Sequence, residues 1–268
     1  MAIVGEEFRE YVQKQIIVRQ KTAGSGVNEN RTPEQIVYLN TKSSWVKFAS
    51  AVQVTPERIQ KENLLDVYAN GKLAQSFVLF GGISSLESSD GKNILKQRGT
   101  SPTSQANIWG VEEGTYNVNA GNNPYTTSKY GLVPMPGINS VDVKYLNRGS
   151  IKKATLKIKA YSPEQFQVLD LIYMRLGYTM FLEWGTSPYL DNEGNLQHGY
   201  TSLIENPEGF FNYKKWEERS FIKFGQEIEK KRKELHGNYE GMLCKVSNFS
   251  WDFSSDGSYD ITLNLISM

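Results

Sequence analysis

The 268-residue sequence predicts an α+β fold, an antiparallel β-sandwich or barrel with a helix on its flank, preceded by a helical arm and interrupted by long irregular loops. Three observations carry this expectation. Apolar and polar residues alternate over 141–145, 154–160 and 259–265, the period of strands with one buried face. Ser162-Pro163-Glu164-Gln165 is a capping box with proline at the first helical position, which places a helix among those strands. The second half reads strand, strand, helix, strand, long excursion with a helix, strand, strand, unlike the regular βαβ alternation of a doubly wound sheet.

Taken in order, residues 1–42 form an arm and linker. Phe8, Tyr11, Val12 and Ile16 recur at helical spacing, and Thr22 to Arg31, rich in Gly, Ser and Asn, reads as a loop. Residues 43–80 read as strand, helix, strand. Ser43–Val54 is the first strand, Thr55-Pro56-Glu57 starts a helix that runs to about Tyr68, and Leu73–Phe80 is the second strand. From 81 to 137, Gly, Ser, Thr, Asn and Pro dominate and only short strands are expected. A connection this long in a compact domain is functional or disordered, and neighbouring subunits are the simplest means of holding it.

Residues 138–268 form the main β domain. Val141, Val143 and Tyr145 pair as a hairpin with Ala154, Leu156, Ile158 and Ala160 across the turn at Asn147–Ser150. The capped helix carries Phe166, Leu169, Ile172 or Tyr173, and Leu176, and stops at Gly177. Tyr178–Trp184 is a strand, Thr186–Tyr213 a second excursion, and Trp216–Leu235 a helix with a weak point at Gly225. Two strands, 242–253 and 259–266, close the chain around Asp256-Gly257. In the first of them Cys244 and Val246 have one parity and Phe249, Trp251 and Phe253 the other, which calls for a bulge near Ser247 or Asn248.

Composition narrows the function. With 30 Lys plus Arg against 29 Asp plus Glu, the net charge of +1 supplies no general excess for a phosphate backbone. The single cysteine, Cys244, leaves no intrachain disulfide and no cysteine-rich zinc site, and a thiol in a half-buried strand is inert. The N-terminus turns acidic by residue six, so neither a secretory signal nor a membrane span is expected.

Chemical motifs are sparse. The sequence has no nucleophile elbow, no phosphate-cradling glycine loop and no His-Glu-x-x-His. His198 lies in a Gly- and Asn-rich loop and His236 at a helix end, both ordinary settings. Asp191-Asn192-Glu193-Gly194-Asn195 has some oxygen ligands of a calcium loop but lacks the later bidentate acid, so a plain turn is expected. No cofactor or metal is called for. Glu183 could face Glu217 and Glu218 across a groove lined by Trp184 and Trp216, the carboxylate pair of a glycoside hydrolase or a carbohydrate-binding cleft. The alternative is that Glu183 points outward while Trp184 closes the core. The aromatic residues of the central loop, Trp109, Tyr125 and Tyr130, suit protein–protein anchors. With Phe8 and Tyr11 of the arm and Met135 of the same loop, they are the candidate interface residues.

Several stretches resemble virion structural proteins of contractile-tailed phages, in particular the baseplate hub proteins that continue the tail tube. They are VPMPGI (133–138), NRGSIKKATLKIKAYSPEQF (147–166), FLEWG (181–185) and DGSYDITLNLIS (256–267), with YVQKQIIVRQ and YLNTKSSWVKFAS nearer the N-terminus. The resemblance implies a tail-tube-like β domain repeated around an axis as a homo-oligomeric ring. It also implies other virion or injection-machine proteins as partners, a place in the tail or baseplate after assembly in the host cytoplasm, and no catalytic residues. It leaves open DNA in transit through the ring. The chain departs from the pattern twice: hub proteins often carry two tube-like domains where one is read here, and the 81–137 loop has no counterpart.

Overall fold

The computed structural model describes residues 8–24, 31–41, 43–52, 78–82, 111–112, 115–116, 127–128, 131–132, 136–147, 151–197, 202–204 and 221–268. Helix α1 (Glu10–Gly24) forms where the arm is expected and buries Tyr11, Gln15 and Thr22. A second helix, α2 (Pro33–Thr41), occupies part of the expected linker. Its start is written in the sequence all the same. The Thr32 hydroxyl accepts from the Gln35 amide (3.3 Å) and the Gln35 side chain accepts from the Thr32 amide (3.3 Å), a reciprocal capping box ahead of proline at the first helical position.

The strands follow as β1 (Ser43–Ser50), β2 (Leu79–Gly82), two minimal hairpins, β3 (Val111–Glu112) with β4 (Thr115–Tyr116) and β5 (Thr127–Ser128) with β6 (Gly131–Leu132), then β7 (Gly137–Leu146) and β8 (Ile151–Ala160). Helix α3 (Pro163–Ile172) leads to β9 (Thr179–Ser187), a short hairpin of β10 (Tyr189–Leu190) and β11 (Leu196–Gln197), helix α4 (Phe221–Glu234), and finally β12 (Tyr239–Phe253) and β13 (Tyr259–Ser267). Seven strands form one antiparallel sheet in the order β2-β1-β9-β12-β13-β8-β7. The sheet curls, so the α+β class with a barrel-like β body holds. At Gly81 the two ends of the sheet meet. A Cβ there would lie 2.8 Å from Val46 Cγ1 and 3.0 Å from the Ile138 carbonyl, so only glycine lets β2 come this close to β7.

Alternation decides which side chains point into the curl. Phe48, Leu182, Met242, Cys244, Leu156, Ile158, Leu263 and Leu265 do, and Val168, Leu169, Ile172 and Tyr173 from α3 and its cap pack on the same core. Each such aliphatic side chain contributes about 1.5–3 kcal/mol of burial. The opposite face of β1, β9 and β12 carries Trp45, Ala49, Phe181, Tyr239 and Leu243, on which α4 lays Phe224 and Ile228. These three strands are therefore covered on both faces, which explains why Met180-Phe181-Leu182 runs apolar without alternating.

The predicted elements differ from the observed ones at their ends. The Ser162 hydroxyl accepts from the Gln165 amide as expected (3.2 Å), but α3 ends at Ile172 with Tyr173 as its C-cap. Leu176 lies beyond the helix and is exposed, because the chain turns at Gly177 with φ +76°. The expected bulge in β12 is present, between Val246 and Asn248, and a second one lies between Ile138 and Ser140. Helix α4 runs through Gly225. The expected helix at 56–68 and most of the 81–137 loop lie outside the described residues. No helix among the described residues is long and apolar enough to cross a membrane.

Candidate functional site

Glu183 sits on β9 directly opposite Lys47 of β1. Neither side chain touches solvent. The Glu183 carboxylate accepts hydrogen bonds from the Tyr239 hydroxyl (2.7 Å), the Leu203 amide (3.0 Å) and the Ser202 hydroxyl. Burial holds its carboxyl above the usual carboxylate range, with the Lys47 charge and these hydrogen bonds opposing. Burial beside Glu183 likewise raises the Tyr239 phenol well above its ordinary value. The expectation that Glu183 alternates outward is corrected here, because that face of β9 lies under a second core. A carboxylate this enclosed meets no substrate, while Trp216, Glu217 and Glu218 lie outside the described residues.

The open surface lies elsewhere. Where β2 stops at Gly82, β7 continues to Leu146 with no strand on its outer side among the described residues. Between this edge and the ends of β1, β9 and β12 lies a cleft of about 750 Å³. Val46, Trp184, Ile138, Val141 and Val143 give it an apolar wall, and Tyr145, Arg19, Arg232, Asn238 and Glu240 a polar one. Along β7 the inner-facing side chains lose cover towards Leu146: Ile138 is buried, Val141 and Val143 are partly covered and Tyr145 is exposed.

A charge network braces one end of the cleft. Arg232 binds Glu229 and Glu240, Lys152 reaches Glu240 at 2.9 Å, and Arg9 reaches Glu229 at 2.6 Å. Burial alone would lower the Arg232 value, but Glu240 and Glu229 outweigh it and keep the guanidinium protonated. Burial, with Glu240 nearby, pushes the Tyr145 phenol up to about 12. Arg19 donates to the Asn238 side chain and has no carboxylate partner among the described residues.

A second unpartnered surface is the upper part of the β12–β13 hairpin. Strand β9 pairs with β12 only over Tyr239–Lys245, so among the described residues Asn248–Phe253 is paired by β13 alone. Trp251 and Phe253, 47% and 63% exposed, project from this segment. They are held in place by other rings. Phe166 lies 4.9 Å from Trp251 and 4.5 Å from Tyr259, and Phe253 lies 5.2 Å from Tyr259, centroid to centroid.

The other residues read from the sequence scatter. Phe8 is exposed, whereas Tyr11 is buried, donates its hydroxyl hydrogen to Glu229 at 3.1 Å and lies against Gly237, so this face of the arm is satisfied within its own chain. Trp109, Tyr125, Tyr130 and Met135 lie outside the described residues, as does His198. His236 follows α4 in a left-handed turn (φ 51°). Asp191 accepts from the amides of Glu193 and Asn195 (3.0 and 2.8 Å) and closes the β10–β11 turn as an ordinary Asx turn, and no metal-binding group of acids, His or Cys occurs among the described residues. Trp251 and Phe253 are not legible from the sequence as surface residues. The parity switch that marks the bulge puts them on the core side, where they nonetheless stay 47% and 63% exposed.

Comparison of the chain with protein-family models, curated proteins and solved structures finds no match in any of the three.

Proposed function

We propose that the chain is a non-enzymatic structural subunit of a phage tail or a related contractile injection machine, acting as a hub or tube-adaptor component through ring assembly. The observation that supports this reading best is the uncompleted sheet. Among the described residues, strand β7 ends a curled antiparallel sheet with no strand on its outer edge, its inner-facing Val141 and Val143 are only partly covered, and Tyr145 is exposed. An exposed edge with apolar residues beside it invites another strand, and repetition around an axis satisfies every such edge at once. The arrangement of a β body with a flanking helix is also what the resemblance to tube-type domains implies. The carbohydrate reading loses its central residue to burial, and no observation among the described residues favours it.

The test is the mass of the purified protein in solution. A discrete oligomer is expected at micromolar concentration, and it should dissociate when the β7 edge is blocked. Val143→Pro removes a backbone donor and fixes φ, which suits neither a strand interior nor an incoming partner. Its ladder with β8 can suffer too, so Val141→Lys, which places a charge in the open cleft and leaves the backbone untouched, is the second variant. A wild-type protein that stays monomeric up to high concentration contradicts the proposal.

A further inference from the structure

Resting on the ring reading above, we propose which two surfaces meet: the aromatic tip of the β12–β13 hairpin of one copy seats in the cleft beside β7 of the next. Each surface lacks what the other has. The tip presents Trp251 and Phe253, fixed from behind by Phe166 and Tyr259. Exposed rings already held in place lose little conformational freedom on docking and have the residue types that dominate interface energetics. The cleft presents the apolar wall of Val46, Val141, Val143, Ile138 and Trp184, in a volume of the size that admits a few large side chains.

The charges agree with this pairing. Asp252 stands between the two exposed rings in sequence, on the other face of β12 and directly across from Asp260, and Asp256 lies in the turn of the same hairpin. Asp256 is bound to Lys159 at 3.0 Å and Asp260 accepts from Ser254, whereas Asp252 has no basic partner among the described residues. On the cleft wall Arg232 is already taken by Glu229 and Glu240, which leaves Arg19 as the cation without an acid among the described residues. One unmatched acid on the tip and one unmatched base in the cleft favour a second copy of this chain as the occupant.

Backbone chemistry points the same way. Among the described residues Asn248–Phe253 of β12 and the outer edge of β7 each lack a pairing strand on one side, and strands β13 and β8 lie between them in the sheet. Two different surfaces of one chain that recognise each other make a heterologous contact, which closes into a ring when the rotation allows it.

The experiment uses two single-substitution variants of the full chain, Phe253→Cys and Tyr145→Cys, with the buried Cys244 left in place. Mixed in equal amounts under mild oxidation, they are expected to give a disulfide-linked pair containing one of each, with little linkage in either variant alone. In parallel, Trp251→Ala with Phe253→Ala is expected to raise the dissociation constant of the oligomer at least about tenfold, the effect of losing interface anchors, while circular dichroism stays native. Assembly without the mixed disulfide, or linkage mainly between two Phe253→Cys chains, overturns the inference and leaves the ring reading intact. A wild-type chain that remains monomeric overturns both. If Tyr145→Cys disturbs folding, Val143→Cys on the same cleft-lining face of β7 serves as the second reporter, read in the same way.

Discussion

At the scale of single residues, the Lys47–Glu183 pair departs furthest from an ordinary sheet. Two opposite charges without solvent contact persist only because each has partners, and removing one leaves the other desolvated. Lys47→Met is therefore expected to cost about 3–5 kcal/mol in urea unfolding, and the double variant Lys47→Met, Glu183→Gln to recover part of that loss. The pH dependence has a definite sign. The folded Glu183 carboxyl sits above its ordinary value, so folding binds a proton, and its contribution is fully present below the ordinary glutamate value and lost as pH rises through the folded one. Wild type minus Glu183→Gln should show this slope. Asp256 behaves oppositely: hydrogen bonds from Ser258 and Lys159 lower it to about 2, so its contribution is present above the ordinary aspartate value and fades as pH falls towards about 2. At Cys244, burial raises the thiol far above its ordinary value. A thiol reagent should leave the native protein unmodified and titrate one group per chain once it is unfolded.

At the scale of elements, much of the fold is written locally and some of it is not. The capping box at Ser162 predicts the start of α3, and Ser162→Ala is expected to cost about 1 kcal/mol, read as a lower melting temperature. The same signal at Thr32–Gln35 marks α2, where the Gly- and Asn-rich stretch just before it suggests loop and masks the cap. The bulge in β12 is legible because a strand with one buried face cannot change parity unless a residue is inserted in the ladder. The side of the sheet on which Glu183 lies is not legible, since alternation gives relative faces and cannot say that α4 covers the second one. Gly185 shows the same dependence on distant neighbours. A Cβ there would lie 2.6 Å from the Asn238 carbonyl and 2.8 Å from the Trp45 ring, so Gly185→Ala should destabilise by about 1–3 kcal/mol in denaturant titration.

At the scale of the whole molecule, the described elements make one curled sheet with a helix on each of two cores, and among the described residues two surfaces lack a strand partner: the β7 edge with its cleft and the aromatic tip of β12–β13. The strands and their faces follow from alternation in the sequence, whereas the cleft does not, because it is made by the ends of β1, β9 and β12 meeting β7 where Gly81 draws the sheet round to Ile138. The interface residues read from the central loop and those read from the fold are different sets. The measurement that bears most directly on ring assembly is the native mass of the purified full chain across concentration. A closed oligomer of fixed stoichiometry that separates when Trp251 and Phe253 are replaced by alanine is the expected result, and a well-folded monomer at every concentration would contradict it.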